Sequence, residues 1–247
     1  MAGHSKWSNI KHAKGRADAA RSKLFARITK EIILAAKDGG PNPDYNVKLK
    51  QAIAKAKDNN MPNDNINRAI LRGSGQLEGV NYEELLYEGY GPGGIAIMVE
   101  VITDNRNRTA GEMRHIFDKY GGNLGETGSV GWMFQRKGVL VIDKEEYPEL
   151  TEDEIMLDAL EAGAEDLVDD EEVFEIYTGQ GDFDQVREVL AEKYKFLVAE
   201  ISNIPDNTLE VEEENLDMLK KLLFFLNDND DVQNVYDNAE YEDDDEE

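Results

Sequence analysis

The sequence contains no cysteine, which excludes disulfides and thiolate-bound zinc and fits a reducing compartment. It has no apolar run approaching the roughly 18–20 residues that span a bilayer; the longest candidate, residues 222–226, is far shorter. The N-terminus carries charges without an apolar stretch behind them, so it does not read as a secretory signal. Histidine is nearly missing: His4, His12 and His115 are the whole complement, too few and too scattered for a histidine metal site. Positive charge is scarce as well. Lys and Arg number 27 against 53 Asp and Glu, a net charge of −26, which argues against a chain that binds polyanions over its whole surface.

The distribution of that charge points the other way. Residues 1–75 carry 15 Lys and Arg against 6 Asp and Glu, a net of +9, so the remaining residues hold −35. Lys6, Lys11, Lys14, Arg16, Arg21, Lys23, Arg27 and Lys30 fall within 25 residues, opposed by Asp18 alone. Each Lys or Arg that neutralises a phosphate releases a counterion. Trp7 offers a face for stacking on an unpaired base, and His4, Ser5, Ser8, Asn9 and His12 add hydrogen-bonding groups. The competing interpretation is a solvated surface, or a segment neutralised by the acidic remainder of the same chain.

Periodicity divides the chain. Residues 1–20 read as a basic arm that becomes helical near Ala17. Over residues 21–37 a helix gathers Phe25, Ile28, Ile32 and Ala36 on one face, with Lys23, Arg27, Lys30 and Lys37 within about 80° on the opposite face. Further helices are expected over 44–58, with Val47, Leu49, Ile53 and Ala56 inward, and over 64–72, making a three-helix bundle. Strand periodicity begins at Tyr82. Strands over 82–90 and 95–103 flank Gly91-Pro92-Gly93-Gly94 as a hairpin, followed by a helix over 108–119 and a strand over 130–136. Residues 138–203 spell strand, helix, two strands, helix and strand, the split order of a ferredoxin-like unit. A helix over 212–226 and a strand over 232–236 then complete the interrupted domain. The expected fold is therefore multidomain α and α+β: a basic arm and three-helix domain (1–78), a discontinuous α+β domain (79–136 plus 204–239), an inserted ferredoxin-like α+β domain (137–203) and a disordered acidic tail (240–247).

No nucleophile–base pair or metal cluster is legible, so no enzymatic activity, cofactor or small-molecule substrate is expected. Gly89 to Gly94 lacks the Gly-Lys-Ser/Thr ending of a phosphate loop, and the acidic run from Asn227 to Asp231 lacks the glycine and closing glutamate of a calcium loop. Both read as ordinary connections, the second as a solvated loop. The glycine-rich stretch with Gly121, Gly122, Asn123, Gly125, Gly128 and Ser129 has two interpretations. Successive free N–H groups there could cradle an anion, or the glycines serve a tight connection.

The opening Ala2-Gly3-His4-Ser5-Lys6-Trp7-Ser8-Asn9-Ile10-Lys11-His12 resembles the signature of the YebC family (YebC/PmpR, including mitochondrial translational activators of cytochrome oxidase synthesis). The resemblance continues through Lys30-Glu31-Ile32, Asn60-Met61-Pro62, Tyr87 to Gly94, Thr103-Asp104-Asn105, Gly121 to Gly125 and Gly128-Ser129-Val130. It covers essentially the whole chain. Ala13 departs from it, standing where a basic residue is expected, and the acidic tail is longer. The resemblance implies a helical domain plus two α+β domains, one inserted in the other. It also implies a cytoplasmic regulator of gene expression that binds DNA in transcription. The alternative it implies is a ribosome-associated translation factor on ribosomal or transfer RNA that relieves stalling at proline-rich stretches. The candidate contact residues are His4, Lys6, Trp7, Asn9, Lys11, His12, Lys14, Arg16, Arg21, Lys23, Arg27 and Lys30.

Overall fold

The computed structural model describes residues 17–241, with side chains from residue 21 onward. These residues form two compact units, 17–131 with 212–237, and 132–211 with 238–241. The expected arm before Ala17 and most of the acidic tail lie outside the described residues.

The first unit opens with three helices: α1 (Ala17–Gly39), α2 (Val47–Asp58) and α3 (Asn63–Gly73). Asn46 starts α2, its side chain accepting the Leu49 N–H while its amide donates to the carbonyls of Ala35 and Gly40. Ile28, Ile32 and Ala36 of α1 bury against Leu49, Ala52 and Ala56 of α2 and Ile66 and Ala69 of α3. Val47 departs from expectation, at 65% exposure. Two positions apart on a helix are about 200° apart, so Val47 and Leu49 cannot share a face; Ala52 takes the inward place. Gly73 is where α3 meets α1, because a Cβ there would fall inside contact distance of the Ile33 carbonyl. We expect Gly73→Ala to cost about 1–3 kcal/mol in urea unfolding, although alanine is the better helix former. A variant as stable as the parent would show that the helices can part freely.

The same unit continues with β1 (Glu83–Tyr90), β2 (Ala96–Thr103), α4 (Arg106–Lys119) and β3 (Asn123–Leu124). Beyond the second unit it resumes with α7 (Glu213–Asp228) and β9 (Val232–Asp237). The sheet order is β3-β1-β2-β9, antiparallel throughout. Gly93 and Gly94 carry the positive φ angles, 71° and 79°, of the turn between β1 and β2. Met113 and Phe117 of α4 and Leu219, Leu222 and Leu226 of α7 are buried.

The second unit is ferredoxin-like. Its elements are β4 (Phe134–Asp143), α5 (Glu152–Ala162), β5 (Asp166–Asp169), β6 (Val173–Gly179), α6 (Phe183–Leu190) and β7 (Val198–Pro205). The strand order is β5-β6-β4-β7, and Arg136 pairs with Asn203, so the two ends of the unit meet. A short parallel pair, β8 (Leu209–Glu210) with β10 (Ala239–Glu240), follows. One expectation is corrected here. The strand expected over 130–136 and the first strand expected within 138–203 are not separate, because β4 runs without a break from Phe134 to Asp143. Gly138, within this strand, is a point of close packing. A Cβ there would strike the Thr178 hydroxyl and the Phe183 ring.

Candidate nucleic-acid interface

The face of α1 that carries Lys23, Arg27 and Lys30 meets the loop that ends α7. Helix ends leave carbonyls without intrahelical partners and concentrate partial negative charge, and α7 has no basic residue in its own last turn. The cations of α1 supply it. Lys23 Nζ donates to the Asp228 carbonyl and, at 2.9 Å, to its carboxylate. Arg27 donates to the Asn227 carbonyl. Burial pulls the Arg27 guanidinium below its ordinary value, while Glu31, Asp228 and Asp230 push it back up.

Lys30 is the most enclosed of the three. Its ammonium donates to the Ile102 carbonyl at 3.1 Å, the Asp230 carbonyl at 2.8 Å and Asp231 Oδ1 at 3.0 Å. Three N–H bonds meet three acceptors, which is all an ammonium can offer. Asp231 is the hub of this cluster, at 5% exposure. Its Oδ2 accepts from Arg108 at 2.7 Å and from the hydroxyls of Thr109 and Thr103 at 2.8 and 3.1 Å. Burial pushes the carboxyl up, but Arg108, Lys30 and Thr109 together hold it down at about 2. Its hydrogen bonds to Asp231 and Asp104 raise Arg108 in turn.

Two expectations change as a result. The stripe of Lys23, Arg27 and Lys30 is not an open basic surface but a half-buried, internally paired face of α1, and Lys37 donates to the Tyr82 carbonyl. The acidic run from Asn227 to Asp231 is solvated at Asn227, Asp228 and Asp230, as expected, but it also partners that stripe and buries Asp231. Arg21 is exposed, its guanidinium 5.7 Å from the centre of the Phe25 ring. His4, Lys6, Trp7, Asn9, Lys11, His12, Lys14 and Arg16 lie outside the described residues.

The glycine-rich loop does cradle an anion, and the anion is the protein's own. Glu88, at 3% exposure, accepts the N–H groups of Gly128, Val130 and Gly131 at 2.7, 2.8 and 2.6 Å. Burial alone would raise its carboxyl; the three backbone donors outweigh that and hold it below the usual range. The other expected members are engaged too. Gly125 donates to the Glu88 carbonyl, Gly122 to the Phe117 carbonyl and Ser129 to the Glu126 carbonyl. Asn123 is in β3, and Gly121 takes the turn before it at φ 72°. Of the two interpretations of Gly121, Gly122, Asn123, Gly125, Gly128 and Ser129, the structure favours the tight connection, with Glu88 occupying the N–H groups of Gly128, Val130 and Gly131.

Exposed cations that the sequence reading passed over lie on the next two helices. Lys48, Lys50 and Lys57 of α2 and Arg68 and Arg72 of α3 face solvent, with Asn63, Asn65 and Asn67 beside the arginines in sequence. Residues 59–62 join the two helices, a link as short as that of helix-turn-helix units. The signal was present in the four-residue spacing of Asp64, Arg68 and Arg72, which gives α3 one charged face.

Two family models match the chain. The TACO1/YebC protein N-terminal domain covers residues 5–76, and the TACO1/YebC second and third domain covers residues 82–239. A probable transcriptional regulatory protein of Clostridium tetani is 57% identical over 98% of both chains. A relative of the same description from Natranaerobius thermophilus is 55% identical over 98% of both. Among solved structures, the conserved hypothetical protein Aq1575 of Aquifex aeolicus superposes with a TM-score of 0.86 at 45% identity, over 98% of this chain and all of that one. With matches over both parts of the fold and at this identity, the chain belongs to the TACO1/YebC family.

Proposed function

We propose that the chain is a cytoplasmic regulator of gene expression that acts by binding nucleic acid, without catalysis. The observation that carries this is the set of cations left over once Lys23, Arg27 and Lys30 are paired internally. Lys6, Lys11, Lys14 and Arg16 precede α1 in a segment without a single acid, and Arg21, Lys48, Lys50, Lys57, Arg68 and Arg72 are exposed. The relatives' description as probable transcriptional regulatory proteins supports DNA as the partner. So does α3, whose first turn exposes Asn63 and Asn65 after a short turn, as recognition helices present their N-terminal residues to base edges. Trp7 favours a second reading, RNA on the ribosome, because an aromatic among lysines stacks on unpaired bases.

Salt dependence separates the two. On a single strand, about five engaged cations give a slope of log K against log salt near −3.5, from about −0.7 per phosphate. On duplex the same cations give about −4.5, from about −0.9 each. Replacing Lys11 and Lys14 by Gln should flatten the single-strand slope by about 1.4. Trp7→Ala should weaken single-strand binding by about 1–3 kcal/mol at nearly unchanged slope, and leave duplex binding unaffected. Arg68→Ala with Arg72→Ala should weaken duplex binding most. Association that none of these substitutions alters would remove the proposal.

A further inference from the structure

One helix of the ferredoxin-like unit is apolar on two opposite sides. The inner side of α5 carries Ile155, Ala159 and Ala162, all in the core of the unit. At the helical rotation per residue, Leu157 and Leu160 stand about 200° and about 140° round from Ile155, at the opposite pole. Leu157 is 59% exposed and Leu160 54%. Residues three apart on a helix are neighbours, so the two leucines form one ridge, extended by the half-buried Met156. The sister helix α6 is built in the ordinary way. Two and five residues after its buried Phe183 come Gln185 and Glu188, both exposed. A single exposed leucine is normal surface. Two adjacent ones, on the far side of a helix from its core, make a face that still wants a second layer.

We infer that the outer face of α5 docks a protein partner, a basic helix with an apolar stripe along one side. The leucine ridge marks the contact, and the charge around it selects the occupant. α5 contains Glu152, Asp153, Glu154, Asp158 and Glu161 and no Lys or Arg. Asp153 stands one turn before Leu157 and Glu161 one turn after it, both exposed, so an acid lies at each end of the ridge. Lys193, the cation that reaches α5, is taken by Asp158 at 2.6 Å. Residues 132–211 as a whole hold 23 Asp and Glu against 6 Lys and Arg. That balance excludes the two other occupants. A nucleic acid would bring phosphates against carboxylates, and a second copy would set the acids of one α5 against those of the other. A helix with Lys or Arg beside its apolar stripe meets Asp153 and Glu161 while the stripe covers the leucines. The 11 residues of α5 span about 16 Å, so a partner of three to four turns suffices. Nucleic-acid binding plays no part in this contact. A regulator with both would hold nucleic acid through its basic N-terminal residues and a basic protein through α5.

The probe is a peptide of about four helical turns with leucine on one face and lysine on the other. Added to the isotope-labelled full chain, it should shift the backbone amides of residues 152–162 before any others. Leu157→Ser with Leu160→Ser should weaken the peptide about tenfold or more. The amide spectrum of that variant should stay that of the folded parent, since both side chains face water. Asp153→Asn with Glu161→Gln should weaken the peptide roughly three- to tenfold and flatten its salt dependence. A peptide of equal charge with serine in place of every leucine should bind at least about tenfold more weakly than the leucine peptide. Four results would each overturn the docking: no binding, shifts centred on residues 240–247, shifts spread evenly over the acidic surface, or binding unchanged in the double serine variant. Shifts of the α5 amides on raising the protein concentration without peptide would make the occupant a second copy. Shifts of the same amides with single-stranded oligouridine would make it a nucleic acid. Either result would overturn the basic partner.

Discussion

Replacing Asp231 by Asn should cost about 3–5 kcal/mol in urea unfolding, because removing one partner of a buried ion cluster strands the others. Lys30, with a side chain at 14% exposure, would keep two carbonyl acceptors and lose its only anion among the described residues. Arg108 would retain Asp104 and lose Asp231. The buried hydroxyls of Thr103 and Thr109 would face an amide in place of a carboxylate. The acid dependence carries a definite sign. The folded-state carboxyl sits at about 2 against an ordinary value of 3.8. Its contribution is therefore complete above about pH 3.8 and drains away as pH falls through about 2. That displacement corresponds to about 2 kcal/mol. A titration of stability in which Asp231→Asn and the parent lose stability in parallel between pH 4 and 2 would show that the cluster is not what holds the loop. The double variant Lys30→Met with Asp231→Leu should recover part of the loss, since well-packed apolar groups replace buried ion pairs at little cost.

Glu88→Ala should be of similar severity and different reach. It leaves the N–H groups of Gly128, Val130 and Gly131 without their acceptor, each lost partner costing about 1–3 kcal/mol where water cannot enter. The loop can recover some of this by opening to solvent, so a global loss of about 3–5 kcal/mol is expected. Amide exchange at Gly128, Val130 and Gly131 should accelerate well beyond that of β1 and β2. Glu88→Gln keeps one oxygen acceptor and should fall between Ala and the parent. Because the three donors hold the folded carboxyl below its ordinary value of 4.5, Glu88 stabilises the fold above that pH and ceases to as the solution is acidified beneath it. Protection of the three amides, relative to the intrinsic exchange rate at each pH, should therefore fall as the pH drops below about 4.5. Exchange unchanged in Glu88→Ala would mean that other acceptors hold the loop.

Element order and type were legible in the sequence because each element carries its own periodicity and stops. The βαββαβ order of the second unit followed from the alternation of strand and helix periodicity over residues 138–203. Single-element reasoning failed wherever a residue answers to something distant. Lys30 looks like a solvent-facing cation when α1 is viewed alone, and its acceptors on Asp230 and Asp231 are 200 residues further on. Glu88 looks like one acid among 53, and nothing local marks it as the counterpart of glycines 40 residues away. In both cases charge that reads as surface is interior wiring.

The position of Asp231 in the chain also governs the order of assembly. α7, β9 and the loop between them come after the whole of residues 132–211. At about 5–20 residues per second of synthesis, the interval between Gly131 and Asp231 is roughly 5–20 s. Throughout it, β2 has an unfilled edge where β9 will pair, and Lys30 and Arg108 have no Asp231. The ferredoxin-like unit, whose ladder closes between β4 and β7, is complete before its host. A nascent chain that has emerged as far as residue 211 would therefore display the four-stranded sheet of the insertion complete inside an unfinished domain, the cations of α1 still open to any polyanion nearby.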